Sequence, residues 1–391
     1  MEMTAITTTV SASRCFCLLA ALVLTGCMDD SSSDDDDDRS TGTLTQVGIE
    51  GVAFETQSQT GTTDEDGQYR YYPGETIRFH VGDLPLIEDV PVAPMLSPLE
   101  FTGEQRDLLH SSGTDEQGFT SHRVIEEAIA GEDPFAINMT RFLLVIGEDR
   151  TADPDGTVTI TQRTIEQIND YLADNPDALE EIDFHQPVNE FTTGILQYND
   201  DGNLENGTPM DMLLDRICFE PEGDELCEAP PTRDEISDAE GEEATQELSQ
   251  QRERILNARR SLNDINDASA SQFLTDQALA YKAQKEAPYY LTPEAVTLHP
   301  SDTAVQRIRL RRAGSDFELA DMDAETLSDN LVVHSFSAQT KTLEYFHDGE
   351  DGDSGSLIFN FKVDEPDYDS YRWYRKSVRV CISEDNRPCS T

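Results

Sequence analysis

The sequence predicts an α+β chain of several domains: a small antiparallel β-module, a mainly helical middle and a C-terminal β-sandwich. Between residues 44 and 90, apolar and polar side chains alternate between glycine turns, the period of a half-buried strand. Over 120–147, 161–182 and 230–284 the apolar positions recur every three or four residues, as on a helix buried along one face. Residues 287–391 return to short alternating runs divided by Gly, Asp and Ser.

Arg14 precedes an apolar run over 15–24, which has the form of a secretory signal segment and is too short to cross a bilayer. A signal peptide is therefore expected over 1–26. Residues 31–33 are Ser and 34–38 are Asp, so 27–43 lacks the apolar surface to collapse and is expected to be an acidic, solvated tether. In the module at 44–90, Ile49, Phe54, Tyr69, Tyr71, Ile77, Phe79 and Val81 supply the inward face. The run 85–98, with Pro91 and Pro94, reads as an extended connection to the helices. Within a mixed, mainly helical region over 91–229, helices are expected at 120–147 and 161–182, packed on each other. Val124, Ile125, Ala128 and Ile129 share a face of the first, and Ile165, Ile168, Leu172 and Leu179 a face of the second. Over 230–286, Leu248, Ile255 and Leu262 stand at heptad spacing, which predicts a helical hairpin broken near 266–269. Over 287–391, strands centre on 296–298, 305–310, 331–333, 357–361 and 378–382, a spacing that suits an immunoglobulin-like sandwich with Trp373 as a candidate core anchor.

Acidic residues number 79 against 28 basic ones, for a net charge of −51. A nucleic-acid-binding surface needs a basic stripe that releases counterions, so this class of partner is excluded. Only five of the basic residues are Lys. Self-repulsion on this scale fades once the Debye length falls to about 3 Å at molar salt, so the composition suits either a protein facing brine or an acidic cell-surface protein in seawater.

Leu24-Thr25-Gly26-Cys27 resembles a bacterial lipobox. That resemblance implies cleavage before Cys27, acylation of its thiol and new amine, and a membrane held through the lipid as partner. Met28, where Asp would signal retention in the inner membrane, implies the outer membrane. Of the seven cysteines, Cys15 and Cys17 would leave with the signal peptide. Cys218, Cys227, Cys381 and Cys389 then remain, an even number suited to an oxidising compartment. Three pairings are possible; Cys218–Cys227 and Cys381–Cys389, each closing a short polar loop, are favoured over a zinc site.

Thr63-Asp64-Glu65-Asp66-Gly67-Gln68-Tyr69 resembles the turn-and-strand signature of carboxypeptidase-regulatory-like, or transthyretin-like, modules. This implies a left-handed Gly67, Tyr69 in the module's core, and a binding or spacer role. Asn138-Met139-Thr140-Arg141-Phe142-Leu143-Leu144 followed by Asp153-Pro154-Asp155-Gly156 is similar to a segment of a group of marine gammaproteobacterial lipoproteins that also begin with such a module. Some members carry names mentioning organic-solvent transport. The chain departs from the group at 148–152, where an Asp/Gly-rich run is usual.

Gly352-Asp353-Ser354-Gly355-Ser356 has the composition of a chymotrypsin-type nucleophile loop, but that chemistry needs a histidine base oriented by a buried carboxylate, and no histidine has a fitting context. An acidic hairpin turn is the expected reading, and no catalytic residue is assigned. No other cofactor is implied, but structural calcium is a candidate at Asp64 and Asp66, at Asp153 and Asp155, and at Asp201, although none sits in an EF-hand loop. His110, His122, His185 and His347 are isolated and read as solvated or packing residues. The chain is accordingly expected to be a non-enzymatic, outer-membrane lipoprotein that presents binding surface to an envelope protein or polysaccharide. Two alternatives stand beside this: a hydrolase built on paired carboxylates of perturbed pKa in a polar pocket, and an accessory protein of lipid or solvent transport with an apolar groove.

Overall fold

The computed structural model describes residues 39–391 other than 155, 315, 366–369, 386 and 388–391. The expected signal peptide, Cys27, Asp155 and Cys389 lie outside the described residues. The chain is a mixed α+β protein with several sheets. Its first part holds β1 (Ser40–Leu44), β2 (Ile49–Glu50), β3 (Ala53–Thr56), β4 (Thr60–Thr62), β5 (Gln68–Tyr71), β6 (Thr76–Val81), β7 (Leu84–Pro91) and β8 (Met95–Leu96). A sheet β4-β3-β6-β7 is antiparallel, whereas β1 pairs antiparallel with β5 and parallel with β8. Residues 40–43 thus belong to a sheet and not to the tether, because β1 is clamped on both sides.

The run 85–98 is not a linker. Pro91 ends β7, the edge strand of its sheet, where a missing N–H costs no ladder bond. Val92, Ala93, Met95 and Leu96 are buried, and the Tyr69 hydroxyl donates to the Ala93 carbonyl at 2.6 Å. The 64–67 turn is tight: Asp64 Oδ1 accepts from the amides of Asp66 and Gln68 at 3.1 and 2.8 Å, and Gly67 takes φ +71° where a Cβ would collide with the Gly48–Ile49 backbone.

After a 3₁₀ turn at Pro98–Glu100 come α1 (Gly103–Leu109), a two-residue hairpin β9 (Gly113–Thr114) and β10 (Thr120–Ser121), then α2 (Arg123–Glu132) and α3 (Pro134–Val145). The single helix expected at 120–147 is therefore two. Pro134 lacks an N–H and holds Asp133 extended (φ −80°, ψ 115°), and the Asp133 carboxylate caps α3 by accepting from Ala136 N at 3.0 Å. Strand β11 (Val158–Thr159) pairs parallel with β2. Next are α4 (Gln162–Asp174), α5 (Ala178–Glu181), α6 (Val188–Phe191), α7 (Pro209–Leu214), α8 (Arg233–Asp238), α9 (Glu242–Ala258) and α10 (Asp267–Glu286). The main neighbour of α4 is β7, not the helices of 123–145.

Helix α3 is buried along its whole length and organises this half. Asn138 Nδ2 donates to the carbonyls of Phe184 and Gln186, and Arg141 donates to those of Leu262 (2.8 Å) and Ile265 (2.7 Å). The Asn138-x-x-Arg141 motif is thus a pair of ties that fix two loops. The second tie turns the chain between α9 and α10, so α10 packs on α2 and α3 while α9 packs on α8; they do not form the expected hairpin. One apolar core runs from Leu44 to Phe273, and positions 90 and 229 do not divide it. A relay of rings, Tyr69–Phe79–Phe101–Phe135–Phe184, crosses it from sheet to helices at centroid spacings of 5.5 to 6.5 Å.

The remaining strands are β12 (Tyr289–Thr292), β13 (Ala295–Leu298), β14 (Gln306–Arg312), β15 (Asp321–Thr326), β16 (Leu331–Ser337), β17 (Thr342–His347), β18 (Ser354–Glu365) and β19 (Ser370–Ile382). They form two four-stranded sheets, β12-β14-β17-β16 and β13-β19-β18-β15. Ile308, Leu310, Leu343 and Tyr345 of the first and Phe359, Phe361, Tyr374, Val378 and Val380 of the second share a separate core. The alternation seen in sequence follows from this arrangement, since each sheet turns one side inward. Residues 39–391 make one compact unit.

Candidate functional site

The first half of the chain and the C-terminal sheets meet where the paired strands β18 and β19 extend past β13 and β15, and β19 reaches the start of α2. Three elements deliver charged groups there. Ser97, in extended conformation before Pro98, caps the 3₁₀ turn, and the capping partner is Glu100: its Oε2 accepts from Ser97 N at 3.0 Å and Ser97 Oγ at 2.5 Å. Glu126 and His122 come from the first turn of α2 and its cap. Arg372 comes from β19 and lies between the acids, with Nη1 2.6 Å from Glu126 Oε1 and Nη2 3.6 Å from Glu100 Oε1. All four residues are buried.

Burial pushes the Glu100 carboxyl up from its ordinary pKa, against the pull of Arg372 and Ser97. Burial, then the Arg372 charge, lowers His122 to about 4, so its ring is neutral near pH 7. The Trp373 amide donates to His122 Nδ1 at 3.4 Å, which leaves the ring proton on Nε2; that atom is buried with no partner among the described residues.

Beside this cluster lies a cavity of about 180 Å³, walled by Val92, Leu96 and Leu109 and floored by Glu100, His122 and Arg372. On the other side of α2 a polar cleft of about 680 Å³ opens between β9–β10 and β19. Arg375 reaches across it to Asp115 at 2.6 Å, and Asn360 Nδ2 donates to the Thr120 carbonyl at 2.9 Å. Trp373, the chain's single tryptophan, is buried and lines the cleft, next in sequence to Arg372 of the cavity. Chemically, the junction offers two acids around one guanidinium and a neutral imidazole, with no serine or cysteine nucleophile among the groups that line the cavity.

Of the residues singled out from sequence, His122 and Trp373 fall in the junction and His110 lines the cavity, so His122 is not isolated as expected; the others lie elsewhere. Cys218 and Cys227 are joined by a disulfide with a Cα–Cα distance of 5.7 Å, and Cys381 is disulfide-bonded. Asp64 closes its own turn, as described. Asp201 belongs to the turn 199–203, whose carbonyls are taken by Arg252 (Asn199 at 2.6 Å, Asp200 at 3.0 Å) and Arg259 (Gly202 at 2.9 Å). Among the described residues, Asp64, Asp66, Asp153 and Asp201 included, no group of three or more His, Cys, Asp or Glu side chains is placed to hold a metal. Ser354 opens β18 next to an acidic turn in which Asp353 Oδ2 accepts from Glu350 N at 2.8 Å.

Sequence reasoning missed Glu100, Glu126 and Arg372. Ser97-Pro98-Leu99-Glu100 carries a readable capping signature, but nothing local marks Arg372, which lies 246 residues from Glu126. Comparison of the chain with protein-family models and with curated proteins gave no match. Among the described residues, no helix is long and apolar enough to cross a membrane.

Proposed function

We propose that this protein is a lipid-anchored, exported binding protein without catalytic activity, held at the outer membrane through Cys27. The observation that carries the non-catalytic part is how the most enzyme-like cluster is used. Glu100 Oε2 is committed to the Ser97 cap, and Arg372 takes an oxygen from each carboxylate, so the group ties the two cores together. The C-terminal half then serves as a presented surface. Lettered in chain order A, A′, B, C, D, E, F and G, its strands read A-B-E-D in one sheet and A′-G-F-C in the other, with A′ parallel to G. That order supports the immunoglobulin-like reading, in which exposed sheet faces and loops carry the ligand contacts. The anchor reading rests on the lipobox at 24–27 and the apolar-free stretch after it. Metabolic labelling with palmitate is expected to mark the wild-type chain and not Cys27→Ser, and an unlabelled wild-type chain would overturn the proposal.

One observation favours a second reading, a carboxylate-based glycoside hydrolase. Glu100, pushed toward its protonated form next to Glu126 and a cavity, has the environment of a general acid. Hydrolysis of a glycan by the wild type that disappears in both Glu100→Gln and Glu126→Gln, with the fold retained, would establish it; no such activity is expected. The cavity of about 180 Å³ falls short of the roughly 300–1,000 Å³ typical of ligand sites, which disfavours an acyl-chain carrier.

A further inference from the structure

We propose that the outer face of the β12-β14-β17-β16 sheet binds an anionic polysaccharide, gripping its carboxylate or sulfate groups with Arg309 and Arg311; this rests on the binding-protein reading above. Acids outnumber bases 79 to 28 in this chain, yet the outward positions 307, 309 and 311 of β14 are all arginine. Among the described residues, only Arg307 of the three is in an ion pair, with Glu344 at 2.8 Å, which also accepts from Ser335 Oγ at 2.8 Å. Arg309 and Arg311 are exposed and form no ion pair among the described residues. The Arg309 charge helps to lower the pKa of Asp316, but that carboxylate is exposed and already paired with Lys341 at 2.9 Å, so neither Arg309 nor Arg311 is held in an ion pair among the described residues, an anion-recognising feature against the composition of the whole molecule.

The surroundings select a sugar. A groove of about 520 Å³ runs over β14, β17 and β16, lined by Arg307 and Arg309, by the hydroxyls of Thr292, Ser337 and Thr342, by the Glu344 carboxylate that Arg307 neutralises, and by Phe336, which is 44 % exposed; Arg311 stands on the same outward face two residues further along β14. Guanidiniums match planar carboxylates or sulfates in a two-pronged geometry, hydroxyls suit a polyhydroxylated chain, and an exposed ring suits the apolar face of a pyranose. An acidic peptide added as a further strand at the β16 edge is disfavoured, because the register of β16 slips between Val333 and Ser335 and that irregularity spoils an edge for strand addition. The net negative charge repels a polyanion at a distance, but at marine salt that repulsion is screened within a few ångströms and the contacts in the groove decide.

The test is titration of the full chain, in about 0.5 M NaCl, with oligosaccharides of alginate (carboxylated), dextran sulfate (sulfated) and dextran (neutral), and with poly-glutamate. Binding of alginate or dextran sulfate and not of dextran is expected, the tighter of the two identifying the anionic group. Arg309→Gln with Arg311→Gln should weaken that binding at least about tenfold, and both positions are exposed enough for the fold to persist, as far-UV circular dichroism would check. Unchanged affinity in the double variant, no binding of either acidic glycan, or tighter binding of poly-glutamate would overturn the proposal. Palmitate labelling of the same preparations separates the two ideas: a labelled chain that binds no glycan overturns the glycan face alone, and an unlabelled one overturns the anchored reading.

Discussion

Arg372→Met is expected to lower the free energy of unfolding by about 3–5 kcal/mol, the cost of leaving buried charges without their partner. Glu126 loses its 2.6 Å ion pair and Glu100 its 3.6 Å one, while both stay enclosed by the 3₁₀ turn, α1 and α2. Methionine fills much of the aliphatic volume of arginine, so the loss reads the charge and not a cavity. Burial already raises the Glu100 pKa, so without Arg372 that carboxyl can recover part of the energy by taking up a proton, and the deficit should shrink as the pH falls. Urea unfolding of wild type and variant near pH 7 measures it. A difference under about 1 kcal/mol would mean that the guanidinium is solvated and the two acids are not joined through it.

Acid should weaken the same junction through His122. Its folded pKa is depressed to about 4 from about 6.5, so the unfolded chain binds the proton more readily over that interval. Stability from this group is therefore complete above about pH 6.5 and is lost as the pH falls to about 4. The gap corresponds to about 3 kcal/mol at about 1.4 kcal/mol per pH unit. Glu100 acts in the opposite sense: its folded pKa is raised, so protonating it favours the folded state and offsets part of the loss. His122→Asn retains an acceptor for the Trp373 amide without the titration. Between pH 6.5 and 4 the wild type should lose about 3 kcal/mol more than this variant, read by urea unfolding at a series of pH values; parallel curves for the two proteins would remove His122 as the acid-sensitive group.

Much of the local structure was legible because it is set by neighbours in sequence. Ile77, Phe79 and Val81 alternate because one side of β6 faces the core, and Asp64 with Gly67 spells out its turn. Asp133-Pro134 also spelled out a helix boundary, though the apolar periodicity on either side concealed it. What stayed hidden was set by distant partners. The prolines at 91 and 94 suggest a linker, and only the edge position of β7 and the pairing of β8 with β1 bury the residues between and after them, Val92, Ala93, Met95 and Leu96. The ties from Arg141 to Leu262 and Ile265 redirect α10 away from the hairpin its heptads suggest. The junction was the least readable part. Arginine, glutamate and histidine become a cluster only when β19 is laid against α2, and in so acidic a chain no single Glu stands out. The arginines of β14 were visible as alternate residues, but that Glu344 pairs with Arg307 and leaves Arg309 and Arg311 without an ion pair among the described residues needed the opposing strand.

The charged junction joins the first half of the chain to the C-terminal sheets through Arg372, Glu100 and Glu126. Trp373, the only tryptophan, lies in that junction, so its fluorescence reports the contact itself while far-UV circular dichroism reports all the helices and strands. Urea unfolding followed by both signals in one sample is expected to give coincident transitions for the wild type. A Trp373 transition that is complete while most of the ellipticity remains would contradict this and leave the cores as independently folding parts.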